Sequence, residues 1–165
     1  MNRYKIATEA KIVDADSGRV HAIVSTEVQD RAGDIIRVTG WDTATFLARP
    51  ILLSGHDYLN LESQIGTWES MKVVGKRLEG VARYYIGSGN RQADWGYHLV
   101  QEGAAAYSVG FRPDMSKAKR LLEDDGLSGG YEFNGQELIE VSHVTVPANP
   151  EAVQLLKGIA RLDPA

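Results

Sequence analysis

Leu138-Ile139-Glu140-Val141-Ser142-His143-Val144-Thr145-Val146 is the stretch on which the fold turns. It reads as the strongest β-strand in the chain. Side chains alternate across a strand, so Leu138, Glu140, Ser142, Val144 and Val146 share one face. Ile139, Val141, His143 and Thr145 share the other. Glu140 therefore sits within an otherwise apolar stripe, where a carboxylate needs an ionic or hydrogen-bonding partner. A structural ion pair or an edge position would satisfy that need as well as a functional partner would.

Working outward, most of the chain reads as short strands. Ala105 to Arg112 is extended, and the polar, glycine-rich stretch 113–136 is expected to be a long mobile loop, with Ser116 to Leu122 a candidate for local helix. Met71 to Val74 and Leu78 to Ile86 flank Gly75-Lys76-Arg77 as a hairpin. Tyr4 to Val13 and Val20 to Thr26 flank the turn residues 14–19 as another. Ile35 to Val38 and Ile51 to Leu53 are shorter candidates, and Thr43 to Ala48 is a helical turn stopped ahead of Pro50. Asn90 caps a helix through Glu102, ended by Gly103. Asn149-Pro150-Glu151 has the chemistry to open a C-terminal helix over 149–162, with Val153, Leu156 and Ala160 as its apolar stripe. About seven or eight strands with two helices favour a barrel or sandwich over a doubly wound sheet.

Bulk properties narrow the classes. The 165 residues fit one domain, 1–165, with no repeat or linker. A net charge of -4 argues against a nucleic-acid partner. The chain has no cysteine, which excludes disulfides, thiolate zinc sites and cysteine catalysis. No window approaches the ~18–20 apolar residues of a membrane span, so no membrane partner is expected. The histidines lack a metal-ligand spacing, and no phosphate-cradling glycine motif is present. Neither a metal nor a cofactor is implied.

Three positions remain for chemistry. On the 105–112 strand, Ala104, Ala106, Ser108, Gly110 and Arg112 share a face, opposite the core-like Ala105, Tyr107, Val109 and Phe111. Small neighbours leave room for a peptide to approach the Ser108 hydroxyl; the same pattern also suits a packed helix. His56 lies in the loop-like Ser54-Gly55-His56-Asp57, and its near-neutral pKa makes it a natural general base, although loop histidines are commonly plain surface residues. Glu140 and His143 lie on opposite strand faces, so only one of them faces a common site unless a bulge intervenes.

Taken in order, several segments resemble the prohead proteases of tailed bacteriophages. They are Asp30-x-x-Gly33-Asp34 with Gly40-Trp41-Asp42; Leu52-Leu53-Ser54-Gly55-His56-Asp57 with Ile65-Gly66; Tyr107 to Pro113; and Leu138 to Ser142 continuing through Val146-Pro147-Ala148-Asn149-Pro150. The resemblance runs from about residue 28 to 153. It implies a serine endopeptidase related in fold to the herpesvirus assemblins: mainly β with flanking helices, in a closed, largely antiparallel barrel of about seven strands. It places the nucleophile on Ser108, the base on His56 and the third member on Glu140. His143 is the alternative, because the assemblins use a second histidine. Arg112 and the backbone amides near Val109 and Gly110 are candidates for the oxyanion hole. The implied substrates are the scaffolding segment of the major capsid protein and the protease itself, cut inside the prohead in the host cytoplasm (or in a bacterium carrying the prophage), with a homo-oligomer expected.

The chain departs from the family in two places. The family's Pro-Ile-Gly after His-Asp is replaced by a longer spacer, Tyr58 to Gln64, and position 143 is more usually apolar. Two other readings stand beside the protease: a catalytically silent capsid-assembly or scaffold-binding module on the same fold, and a small-ligand barrel whose pocket is lined by Trp68, Tyr84 and Tyr85.

Overall fold

The computed structural model describes residues 17–122 and 128–155. Ten strands and two helices run in the order β1 (Arg19–Thr26), β2 (Ile35–Ile36), β3 (Trp41–Asp42), α1 (Ala44–Ala48), β4 (Ile51–Ser54), β5 (Gln64–Val74), β6 (Arg77–Tyr84), α2 (Arg91–Gln101), β7 (Ala106–Pro113), β8 (Lys119–Leu122), β9 (Ser128–Phe133) and β10 (Gln136–Val144). The expected mainly-β architecture with few helices is what is seen.

Strand pairing follows the path β1-β6-β5-β4-β10, from which β7 and the short β3 both continue as neighbours of β10. The sheet curls around a core that includes Val24, Leu52, Trp68, Tyr84, Tyr107 and Val141. β2, β9 and β8 form a separate three-stranded sheet. Trp68 and Tyr84 are each 1% exposed, and Trp68 meets Tyr107 edge-on, 5.4 Å between ring centres. Both fill the core; Tyr85, the third aromatic residue of the small-ligand reading, is partly buried and packs against that core.

The expected barrel closure is not formed by strand pairing. β1 and β7, the ends of the curled sheet, do not pair with each other, and the sheet is open. Residues 152–155 lie between them as a clasp. Ile23 N–H donates to Val153 O at 3.0 Å and Leu155 N–H to His21 O at 2.9 Å. On the other side Tyr107 N–H donates to Ala152 O at 2.8 Å and Gln154 N–H to Ala105 O at 3.2 Å.

That clasp also corrects the expected C-terminal helix. Asn149 does accept from Glu151 N–H, as a capping residue would, but its Nδ2 donates to Thr26 O at 3.1 Å and binds the segment to β1. Val153 and Gln154 then form bridges with β7 and β1 in place of a helical turn. The remainder of that expected helix, and the first strand of the 4–26 hairpin, lie outside the described residues.

The stretch 113–136, expected as a mobile loop, carries β8 and β9 among its described residues. One of its glycines serves close backbone packing. Gly130, at φ +110°, abuts the carbonyl of Gly33, where a Cβ would collide, and Asp34 Oδ1 accepts from Tyr131 N–H at 2.8 Å. At Gly130 the glycine permits a close backbone contact.

Candidate active site

His56 is delivered by the end of β4. Leu53 and Ser54 pair in parallel with Ser142 and His143 of β10, and the chain then reverses at Gly55-His56. Both turn residues have positive φ, +63° and +59°, and Asp57 N–H closes the turn on Ser54 O at 3.2 Å. Two consecutive left-handed residues are the mark of a type I′ turn. Glycine takes this conformation freely, whereas a histidine does so at a cost of roughly 1–2 kcal/mol. His56 is the only non-glycine residue at positive φ among the described residues. Two bonds to β10 hold it there: Gly55 N–H to His143 O, 2.9 Å, and His56 N–H to Ser142 Oγ, 3.1 Å.

Glu140 receives the imidazole. Its register shows how: Leu138 pairs with Phe111 and Glu140 with Gly110, so Ile139 is an extra residue, a β-bulge. The bulge resets the alternation. Leu138 stays in the core with Val141, Ile139 is turned out to solvent, and Glu140 joins Ser142 on the opposite face from Val141. There Glu140, 3% exposed, accepts three side-chain hydrogen bonds. His56 Nδ1 is 2.5 Å from Oε1, Tyr58 Oη donates to the same oxygen at 3.1 Å, and Ser142 Oγ donates to Oε2 at 2.6 Å. Together these offset the desolvation of a buried carboxylate.

The pair shapes its own titration. The hydrogen bond to Glu140 raises the His56 pKa above the ordinary histidine value, against partial burial, which opposes the shift. Tyr58 is pushed up to about 12, chiefly by burial and then by the charge of Glu140. A carboxylate on Nδ1 also fixes the neutral imidazole as the tautomer with a free Nε2, the form that can accept a proton.

Ser108 lies on β7 directly opposite Ser142, two residues from Gly110. It is 7% exposed, and its hydroxyl makes no hydrogen bond among the described residues, to His56 or to any other group. Gly110 leaves the room that Glu140 occupies. A Cβ at that position would collide with Glu140 Oε1 and would sit 2.8 Å from Tyr58 Oη. A small pocket opens beside Ser108, bounded by Val109 and Phe111 of β7, Ser25 and Thr26 of β1, and Asp30.

The other sequence candidates separate. His143 faces the core: its Nδ1 meets Tyr84 Oη at 2.9 Å, its ring packs against Tyr107, and burial pushes its pKa down to about 4. Among the described residues its ring makes no hydrogen bond to Glu140 or His56. The Arg112 guanidinium is held by Glu137 on the neighbouring strand. Tyr107 N–H points away from β10, toward Ala152, so by alternation Val109 N–H points to that outer edge and Gly110 N–H toward β10. Two members of the site were not named from the sequence, Ser142 and Tyr58. Ser142 could have been found as the same-face neighbour of Glu140. Tyr58 sits in the spacer that departs from the family pattern, and nothing local signals its reach.

Among the described residues, no group of three or more His, Asp or Glu is placed to hold a metal ion, and no helix is long and apolar enough to cross a membrane. What the site offers is acid–base chemistry: an imidazole oriented by a buried carboxylate, on the same sheet face as a serine that has no hydrogen-bond partner among the described residues.

That arrangement defines the class of protein to compare: a mainly-β chain with a His–Glu pair and an adjacent serine. The chain is 27% identical over 152 residues to the prohead protease of Escherichia phage T5. The match covers 86% of this chain and 66% of that protein, so the chain spans about two thirds of the relative's length. No family model matches the sequence, and no solved structure does.

Proposed function

We propose that this chain is a serine endopeptidase of bacteriophage capsid maturation, working as a single catalytic domain. The observation that carries this reading is the 2.5 Å His56–Glu140 hydrogen bond on the sheet face that also bears Ser108. Support comes from the likeness to a phage prohead protease over 86% of the chain. Kinship with the herpesvirus assemblins belongs to the same proposal, the clasp at 152–155 standing where a closed barrel would have continuous pairing.

In this mechanism His56 Nε2 takes the Ser108 proton as Oγ attacks the scissile carbonyl, and returns it to the leaving amine. Glu140 holds the imidazole tautomer and stabilises the imidazolium; His143, buried against Tyr84, takes no part. Water then attacks the acyl-enzyme, with His56 again as base. The Val109 backbone amide, on the outer edge of β7 beside Ser108, is the proposed oxyanion donor in preference to Arg112, whose charge Glu137 already engages. The substrates are the scaffolding segment of the major capsid protein and the protease itself, met inside the prohead in the host cytoplasm. A homo-oligomer at that location is part of the proposal.

Co-expression with a capsid precursor tests it. Wild type trims the precursor, and Ser108→Ala abolishes trimming while remaining folded. Equal trimming by the variant would overturn the serine mechanism. The absence of a Ser108–His56 hydrogen bond favours a second reading, a silent assembly module. Under that reading neither protein trims the precursor, and both bind it.

A further inference from the structure

We propose that Tyr58 is a positioning residue for the His56–Glu140 pair. Its hydroxyl binds the same carboxylate oxygen that His56 uses, fixing the Glu140 rotamer and limiting how strongly that oxygen draws a proton onto the imidazole. The role rests on the protease reading of the site.

The loop that carries Tyr58 is built to hold its place. Asp57 Oδ1 accepts from Leu59 N–H at 3.0 Å and Asn60 N–H at 3.2 Å. Ser63 Oγ is within 2.5 Å of both Asp57 O and Asn60 O. Asn90, the cap of α2, donates to Glu62 O at 2.8 Å and ties the loop to that helix. The loop gains little by burying apolar surface, since Leu59 and Leu61 are 98% and 91% exposed. Tyr58 itself is 63% exposed, yet its Oη reaches inward to a carboxylate that is 3% exposed. A residue whose body lies in water and whose tip meets a buried charge contributes through that tip.

Three elements converge on Glu140 Oε1: the β4 turn through His56, the 57–63 loop through Tyr58, and β7 through the bare backbone of Gly110. Other charged or polar groups facing the pair are accounted for. Asp57 is turned into its own loop amides, Arg112 on β7 is held by Glu137, and Ser142 of β10 binds the other carboxylate oxygen. Ser108 completes that face. Among the described residues, Tyr58 is thus the one titratable group besides His56 in hydrogen-bond contact with Glu140.

The direction of the effect follows from the dipole. The Tyr58 O–H points its positive end at Oε1, which opposes an imidazolium on the same oxygen. Tyr58→Phe removes that opposition and leaves the pull of Glu140 on the His56 proton at full strength. The His56 midpoint rises, and less neutral base is present at neutral pH.

The test is NMR titration of the His56 ring in wild type and Tyr58→Phe, with the pH profile of peptide cleavage measured on both. The expected result is an upward shift of about half a pH unit, with the acid limb of kcat/KM moving by the same amount. The kcat at neutral pH falls by about three- to tenfold, the range given by one neutral hydrogen bond. Leu59→Ala, a change in the same loop, leaves both readouts where they were. A His56 midpoint that is unchanged or lowered in Tyr58→Phe overturns the proposal, as does an equal shift in Leu59→Ala. Absence of turnover in wild type overturns the protease reading, and the His56 midpoint still decides the role of Tyr58.

Discussion

The proposed chemistry concentrates on one residue, Glu140. It is buried, it is charged, and it is bonded through both oxygens, so any change to it is read directly at His56. His56 bound to a carboxylate holds its proton above the ordinary histidine pKa. A general base acts only when neutral, so kcat/KM falls as the pH drops through that raised value. Glu140→Gln leaves an amide that no longer stabilises the imidazolium, so the acid limb moves down toward the ordinary histidine range. Activity at neutral pH falls by about 10⁴, the loss known when a triad carboxylate becomes an amide. A pH-rate profile of the variant checks both effects. An acid limb that stays in place in Glu140→Gln would show that the carboxylate does not govern His56.

At the scale of elements, the decisive feature is the bulge at Ile139. Strict alternation places Leu138 and Glu140 on one face, and that is how the sequence reads. One extra residue in β10 keeps Leu138 in the core and turns Glu140 to the site with Ser142. The strand was legible because its side chains favour extension; the bulge was not, because it is set by pairing with β7. The same limit explains the C-terminal segment, where Asn149 and Pro150 carry helix-opening chemistry and tertiary pairing with β1 and β7 overrides it. The α2 helix shows the opposite case. Asn90 accepts from Gln92 N–H and Ala93 N–H, so a local signal was sufficient.

Gly110 belongs to this scale too, because β7 meets Glu140 across the sheet at that glycine. Gly110→Ala drives a methyl group into the carboxylate and the Tyr58 hydroxyl. Displacing the carboxylate by even an ångström is expected to lower kcat by about 10²-fold. Overpacking also costs stability, about 1–3 kcal/mol. Steady-state kinetics with thermal unfolding measures the two together. Full activity in the variant would mean that Glu140 need not occupy its present position.

The whole molecule explains how residues far apart in sequence are brought to neighbouring strands. β4 and β10 run parallel side by side, β7 lies antiparallel against the far edge of β10, and the site lies across all three strands. Position 56 comes from the turn after the first of these strands, 140 from the second and 108 from the third. Their sequence order resembles that of the phage prohead proteases, and their types suggested acid–base chemistry. Their convergence on one sheet face required the fold. The order of elements and the open, curled sheet also confine the candidate chemistry to one face, with the core packed on the other.

In the proposed mechanism Ser108 is a nucleophile activated by His56. Intact-mass and peptide mapping after treatment with a serine-directed phosphonate tests it most directly. The expected result is a single covalent adduct on Ser108, formed at least about 10²-fold more slowly in His56→Ala because the general base is gone. No adduct, or an adduct on Ser108 formed equally fast without His56, would contradict it.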